Sequence, residues 1–416
     1  MPEFRAPSGT HDVLAPESAR WETLVGRFAE TVRRAGYGLV VSPMFEDVAV
    51  FTRVGEGTDV VRKEMYDFVD KGDNHVALRP EGTASVVRAW VQHRPPLPWK
   101  AWYAAPNFRY ERSQAGRYRQ HHQLGVEALG SDDPDLDVEV VTLAATFVAG
   151  LGLARVELLL NSLGDTACRP AYLDTLRGFL AERRERLCDE HRERALDAPL
   201  RVLDCKRDAC RQATADAPRM IDHLCQPCAD HFERVRAGLD ALAVGYHIEP
   251  RLVRGLDYYT RTTFELAATA LETAQNAVGG GGRYDGLTEA LGGPPTPGIG
   301  FGLGVERLLL ACDAEGVFPA PEGAVDVFVV DTAGGTEALL LTFELRAAGF
   351  VCDRAFDARS MKAQFRAADR SGARVALVVG EQERADGTVT VRDLEGGDQQ
   401  TVDRADVVAH VRKRLQ

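Results

Sequence analysis

Residues 298 to 307 read Gly-Ile-Gly-Phe-Gly-Leu-Gly-Val-Glu-Arg, and the apolar residues Leu308 to Leu310 carry the run on into a helix. Alternating glycines leave one side of a strand without side chains, so its backbone can approach a nucleotide base closely. Arg307 falls in the first helical turn, where a guanidinium can meet a phosphate. The segment lacks the lysine of a P-loop and has no acidic partner at the spacing of a dinucleotide fold, so neither of those phosphate motifs is supported. A second glycine run, Gly279 to Gly282, leads into Arg283-Tyr284-Asp285-Gly286. Such turns are ordinarily connectors, and its interest is its position between two arginine-bearing segments.

The first of those segments is Arg254-Gly255-Leu256-Asp257-Tyr258-Tyr259, followed by a strand-like run from Thr260 to Leu266. An arginine beside a glycine can reach an anion closely, and adjacent tyrosines on a strand would face opposite sides, one lining a pocket and one supporting it. Upstream, Asn107 to Arg112 and Arg117 to Glu127 read as two strands joined by a polar loop through Gln114 to Gly116. That arrangement would bring Arg109 and Arg117 to a shared concavity, with Gln123 and Glu127 projecting from the return strand. Guanidinium groups there suit polyphosphate, because they stay charged and bind oxygens in pairs.

At 416 residues and 45.5 kDa, two or three domains are expected. No apolar run approaches the roughly 20 residues of a membrane helix, and the N-terminus shows no secretory pattern, so a cytoplasmic location away from membranes is expected. The net charge of -12 argues against indiscriminate nucleic-acid binding and would confine any such contact to local basic patches. The eight cysteines read as thiols or metal ligands, with no disulfides expected.

Apolar spacing predicts a helix from Pro16 to Arg34, stopped by Gly36 and Gly38 before a β-rich run from Leu39 to Pro43. Further strand-like runs at Met65 to Asp70, Val76 to Leu78, Ala101 to Tyr110 and Gln123 to Leu129 suggest a largely antiparallel sheet and disfavour a doubly wound Rossmann domain. Residues 170 to 245 look inserted, with helix-like stretches at Leu173 to Ala195 and Asp230 to Leu242 around a four-cysteine segment. A Pro/Gly-rich link, Phe318 to Gly323, precedes an alternating α/β segment that includes strands at Val325 to Val330 and Val375 to Val379.

Together these blocks resemble class II aminoacyl-tRNA synthetases, and within them the histidyl-tRNA synthetase family, along the whole chain. Phe108 to Glu111 is similar to the second class signature, Gly300 to Arg307 to the third, and Pro43 to the dimer-forming first. Arg254 to Tyr259 and Gly280 to Gly286 resemble the two segments that mark histidine specificity, and Arg79-Pro80-Glu81-Gly82-Thr83 resembles the amino-acid loop. The resemblance implies a catalytic α+β domain at 1–320, with an antiparallel sheet flanked by helices and a mostly helical insertion at about 170–245. An α/β anticodon-binding domain would follow at 324–416.

It further implies a homodimer that activates L-histidine with ATP to histidyl-adenylate and transfers histidine to the 3′ end of tRNA(His). Arg109 and Arg254 would clamp the α-phosphate and the substrate carboxylate, and both are the expected catalytic groups. Arg117 and Arg307 would hold the outer phosphates with accompanying Mg²⁺, and Glu111, Gly302 and Gly304 complete the expected ATP set. His121 stands where the family often has a phenylalanine that stacks on adenine, and Ser113 where proline is common. Glu127 and Tyr259 would read the imidazole nitrogens, and Glu81, Gly82, Thr83 and Gln123 would receive the α-ammonium end. Tyr258 and Tyr284 would wall the pocket.

Arg359, Lys362, Arg366 and Arg370 recur on about one helical face, and the resemblance makes that stripe the expected contact with tRNA backbone. Cys205, Cys210, Cys225 and Cys228 have spacing that tolerably fits one tetrahedral zinc site, although buried free thiols are the favoured reading and no metal is assigned. Two other readings use the same fold. One is the catalytically inactive regulator of ATP phosphoribosyltransferase, which lacks the anticodon module and need not keep the phosphate arginines. The other is an uncharged-tRNA sensor, which would carry an added effector domain.

Overall fold

The computed structural model describes residues 4–55, 58, 60–112, 116–253, 258–271, 276–321, 325–357 and 359–415. The chain divides into two compact units, Met1–Pro319 and Ala320–Gln416. The strands of the first unit are β1 (Gly38–Leu39), β2 (Phe45–Asp47), β3 (Tyr66–Val69), β4 (His75–Leu78), β5 (Trp99–Phe108), β6 (Gln120–Leu129), β7 (Val156–Ser162), β8 (His247–Ile248), β9 (Thr260–Ala268), β10 (Ala277–Arg283) and β11 (Gly298–Gly304). Eight form one sheet in the order β1-β5-β6-β11-β10-β9-β7-β8, and β2-β4-β3 form a small second sheet. The six strands from β5 to β7 in that order are antiparallel, while β1 and β8 join the edges in parallel.

Strand alternation decides which side of this sheet is core and which is site. In β6, Leu124, Val126 and Ala128 enter the main core, so Gln123, Gly125 and Glu127 project from the other side. In β11, Ile299, Phe301 and Leu303 do the same, leaving four glycines on the site side. The helix Glu17–Arg34 covers the core side with Leu24, Phe28 and Val32, and Phe28 meets the rings of Trp102, Phe147 and Phe301 edge-on. Each such aromatic or aliphatic side chain contributes about 1.5–3 kcal/mol by burial. The helix Pro134–Gly150 lies in the same layer, begun by Asp133, whose carboxylate accepts the Asp135 N–H at 2.9 Å.

The segment between β7 and β8 is helical, with helices Arg169–Glu182, Asp189–Arg194, Pro199–Leu203, Asp208–Ala213 and Gln226–Ala241. The continuous helix read from Leu173 to Ala195 is interrupted. Leu187 and Cys188 are extended, with ψ of 160° and 157°, because Leu187 turns into a small core with Leu176, Leu180 and Val202 and the Cys188 N–H donates to Cys210 Sγ at 3.3 Å. That core is separate from the main one.

The second unit holds β12 (Val327–Asp331), β13 (Cys352–Arg354), β14 (Val375–Val379), β15 (Thr388–Asp393) and β16 (Gln399–Asp403) in the order β13-β12-β14-β15-β16. Parallel pairing joins β13, β12 and β14, and antiparallel pairing adds β15 and β16. β14 is buried along its whole length, as its unbroken run of Val, Ala and Leu requires. Among the described residues, no helix is long and apolar enough to cross a membrane.

Candidate active site

A cavity of about 580 Å³ opens on the glycine side of the large sheet. Its lining brings together Arg109, Glu111, Arg117, His121, Gln123, Gly302, Gly304 and Arg307. Each arginine is held by a neighbour. Arg109 Nε donates to the Pro80 carbonyl at 2.8 Å, while Arg307 donates from Nε to Gly116 O at 3.2 Å and from Nη1 to Ala277 O at 2.8 Å. Glu111 lies between Arg109 and Arg117, at 3.8 and 3.2 Å. Burial, reinforced by the charges of Arg109, His122 and Arg307, holds the His121 imidazole well below its ordinary pKa, so the ring is neutral at pH 7.

Glu306, unassigned in the sequence, explains the placing of His121. Its carboxylate accepts the His122 backbone N–H at 3.0 and 3.1 Å and meets His122 Nδ1 at 2.9 Å, fixing the first residues of β6. Lys206, Arg211 and Arg251 come from or just beyond the helical segment to line the same cavity, a contribution that the motifs alone do not reveal.

Beside the cavity lies a second, enclosed group of polar side chains. Glu127, fully buried, accepts from Thr83 Oγ1 at 2.7 Å and from the Tyr284 hydroxyl at 2.5 Å. Glu81 caps the helix Thr83–His93 from the preceding loop, accepting the N–H groups of Thr83 at 2.7 Å and Ala84 at 2.8 Å. Burial pushes both carboxyls up, Glu127 to about 8. Gln123 Oε1 accepts from the buried Asn107 amide at 2.7 Å, which links this group to the cavity.

Tyr258 and Tyr259 precede β9, and their rings lie 4.8 Å apart. They therefore pack on each other, correcting the expectation that a strand would send them to opposite faces. The Tyr258 hydroxyl is buried without a hydrogen-bond partner among the described residues. Arg254, the other expected catalytic group, lies outside the described residues.

Glycines make this packing possible. A Cβ on Gly300 would lie 2.0 Å from Glu127 Oε2, and Cβ atoms on Gly82 or Gly125 would lie 2.4 or 2.3 Å from the ring of Tyr103. Tyr103 thus sits between the loop at 79–83 and β6, in the field of Glu127 and Glu81. Sequence reading missed it, since a tyrosine in the run Ala101 to Ala105 is indistinguishable there from packing. The signal was its register: Tyr103 pairs with Gly125, on the same side as Glu127.

The family model described as histidyl-tRNA synthetase matches residues 9–308, and one described as an anticodon binding domain matches residues 325–414. The chain belongs to the histidyl-tRNA synthetase family. It is 51% identical to a histidine–tRNA ligase of Rhodococcus erythropolis over 411 residues, covering 97% of this chain and 96% of that one. Among solved structures it is similar to apo S. aureus histidyl-tRNA synthetase, with TM-score 0.82, 35% identity and 98% and 99% of the two chains covered. A Bacillus halodurans protein described as an ATP phosphoribosyltransferase regulatory subunit/histidyl-tRNA synthetase shares the fold at TM-score 0.64 and 18% identity, covering 91% of this chain and 98% of that one.

The remaining expected residues lie elsewhere. Lys362, Arg366 and Arg370 follow one another at four-residue spacing on the helix Met361–Ser371 of the second unit, all exposed. Arg359 precedes that helix and lies 3.8 Å from Asp357, so the helical stripe has three members and not four. The four cysteines read as one candidate zinc set do not form one set. Cys205 and Cys210 gather with Cys188 and His191, whereas Cys225 and Cys228 gather with Asp165 and Cys168. The separation arises because the helix Gln226–Ala241 returns to the base of the segment, beside the end of β7.

Proposed function

We propose that this chain is a histidine–tRNA ligase, which forms histidyl-adenylate from L-histidine and ATP and then passes histidine to the 3′ end of tRNA(His). The observation that carries this reading is the adjacency of an enclosed pair of carboxylates, Glu81 and Glu127, to a cavity lined by Arg109, Arg117 and Arg307. A cationic amino acid suits the first, and a polyphosphate suits the second.

In the first step the histidine carboxylate attacks the α-phosphorus, an O–P bond forms, and the bond to the departing pyrophosphate breaks. Negative charge grows on the non-bridging oxygens, and positioned cations lower that barrier. Arg109 and Arg254 would bracket the α-phosphate and the carboxylate, while Arg117 and Arg307 take the outer phosphates. Neutral His121 offers a flat ring to the adenine, and Gly302 and Gly304 leave room for it. Magnesium would enter with the nucleotide, and Glu111 and Glu265, which line the cavity beside the arginines, are the carboxylates placed to meet it.

Glu81, Thr83 and Gln123 would receive the α-ammonium group beside Gly82, Glu127 and Tyr259 the imidazole nitrogens, and Tyr258 and Tyr284 the ring edges. Hydrogen-bonded selection of this kind discriminates by roughly 10⁴ against isosteres that lack the partner. In the second step the 3′-terminal adenosine hydroxyl attacks the activated carbonyl and AMP leaves. Lys362, Arg366 and Arg370, with Arg359, would meet tRNA backbone, and two chains would assemble as a homodimer in the cytoplasm.

Histidine-dependent exchange of pyrophosphate into ATP tests the reading. We expect exchange with the full chain, and a far larger loss of exchange than of histidine binding in Arg254→Ala. Folded protein without exchange would overturn the ligase assignment in favour of a regulatory or sensing role.

A further inference from the structure

The helical segment between β7 and β8 contains two groups of four metal-ligating side chains. In each, the donor atoms lie within 4.8 Å of one another. One group is Cys188, His191, Cys205 and Cys210, and the other is Asp165, Cys168, Cys225 and Cys228. We propose that the segment binds two zinc ions, one in each group. This goes beyond aminoacylation and is independent of it.

The distances fit one small ion at each centre. Ligands about 2.0–2.3 Å from a tetrahedral zinc stand roughly 3.5–3.8 Å from each other. In the first group His191 Nδ1 is 3.1 Å from Cys188 Sγ and 3.9 Å from Cys210 Sγ. In the second, Asp165 Oδ1 is 3.6 Å from Cys168 Sγ and 3.9 Å from Cys225 Sγ. All eight cysteines of the chain are free, and a disulfide would use only two of the four donors at either centre.

The backbone is shaped for the same purpose. Cys188, Cys168 and Cys225 each stand at the N-cap of a helix, and His191 and Cys228 follow three residues after Cys188 and Cys225, so each pair converges on one point. Backbone N–H groups already point at two of the sulfurs, Cys188 N to Cys210 Sγ at 3.3 Å and Asp165 N to Cys168 Sγ at 3.5 Å. The second set carries more negative charge. Arg261 Nη2, 3.5 Å from the outer Asp165 oxygen, partly offsets it. Three thiolates with one nitrogen or oxygen select a borderline-soft tetrahedral ion, which is zinc rather than magnesium or calcium.

The segment has need of such ties. Three of its helices have five or six residues, too short to persist alone, and its core is small. The second centre also adjoins the active site. Arg169, just after Cys168, donates from Nη2 to the Tyr259 carbonyl at 2.5 Å, and the Arg261 and Leu163 N–H groups bond to the carbonyls of Gly164 and Arg261. Zinc there would hold the entry to β9, and with it Tyr258 and Tyr259, against the helical segment.

The test is elemental analysis of the full-length protein, purified without chelators in a non-thiol reductant. We expect two zinc per chain, and one each in Cys188→Ser and Cys168→Ser. Wild-type zinc content in both variants would overturn the pairing, because a single site at Cys205, Cys210, Cys225 and Cys228 would not need either residue. Negligible zinc, or fewer than eight titratable thiols in a parallel preparation made without reductant, denatured and stripped of metal, would overturn metal binding. Should the variants fail to fold, zinc-edge X-ray absorption on the wild type decides. Three sulfurs and one lighter ligand per zinc support the two mixed sites, and four sulfurs exclude them.

Discussion

Glu127 shows how one residue can link the chemistry of the pocket to stability. Burial, with the Glu81 charge adding to it, outweighs the hydrogen bonds from Tyr284 and Thr83 and raises its pKa from 4.5 to about 8. The folded protein therefore keeps this proton over a range where the unfolded chain has lost it. The stability that follows is complete below 4.5 and is lost as pH rises to about 8, at roughly 1.4 kcal/mol per pH unit. In urea unfolding of ligand-free protein between pH 5 and 9, Glu127→Gln should remove that part of the slope, and a variant as pH-dependent as the wild type would contradict the assignment. Gln123 and Glu127 were legible because strand alternation alone places them on one side of β6. Tyr103 and Asn107 were not, because a polar residue within an apolar strand gains its meaning only from the glycine or amide set opposite it.

Among the elements, the join between β10 and the helix Pro134–Gly150 rests on ionic groups that water does not reach. Arg283 and Asp137 have no exposed surface; Arg283 Nη2 lies 2.5 Å from Asp137 Oδ2, Nη1 and Nη2 donate to the carbonyls of Ser131 and Asp133, and His231 meets Asp137 at 3.1 Å. Removing one partner strands a buried charge, so Arg283→Met should cost about 3–5 kcal/mol in urea unfolding, and Arg283→Met combined with Asp137→Leu should cost less than Arg283→Met alone. The helix Met361–Ser371 works at its surface instead. Its buried Gln364 donates to the Arg359 carbonyl at 2.7 Å and accepts from the Asp331 N–H at 2.8 Å, which orients the exposed stripe. Arg366→Glu with Arg370→Glu should raise the KM for tRNA several-fold, more so at low salt, and leave pyrophosphate exchange unchanged. Helical periodicity made this stripe legible, and Arg359 was counted with it on spacing alone, although it stands one residue before the N-cap Ser360. The cysteine grouping was hidden for a different reason: Asp165 and Cys168 precede the insertion read at about 170–245, and only the returning helix brings Cys225 and Cys228 to them.

For the molecule as a whole, the sheet edge at β1 and the neighbouring small sheet leave Leu39, Val41, Met44, Phe45, Phe68 and Val69 exposed, Val41 at 86%. Apolar residues gathered in this way are the surface on which the proposed homodimer would close. Val41→Glu with Phe45→Glu should turn a dimer into a monomer in sedimentation equilibrium, and a monomeric wild type would refute the assembly. The antiparallel character of the sheet was legible from strand runs and the class of fold from the family resemblance, whereas the relation of the strands in space, with β11 inserted between β6 and β10, was not, since order along the chain does not give order across a sheet. That central strand has one further consequence. A shift of β11 by a single residue would send Ile299, Phe301 and Leu303 into the cavity and four glycines into the hydrophobic layer. Such a misfolded chain would be hollow and blocked at once, so the register that fills the core is the same one that keeps the cavity open.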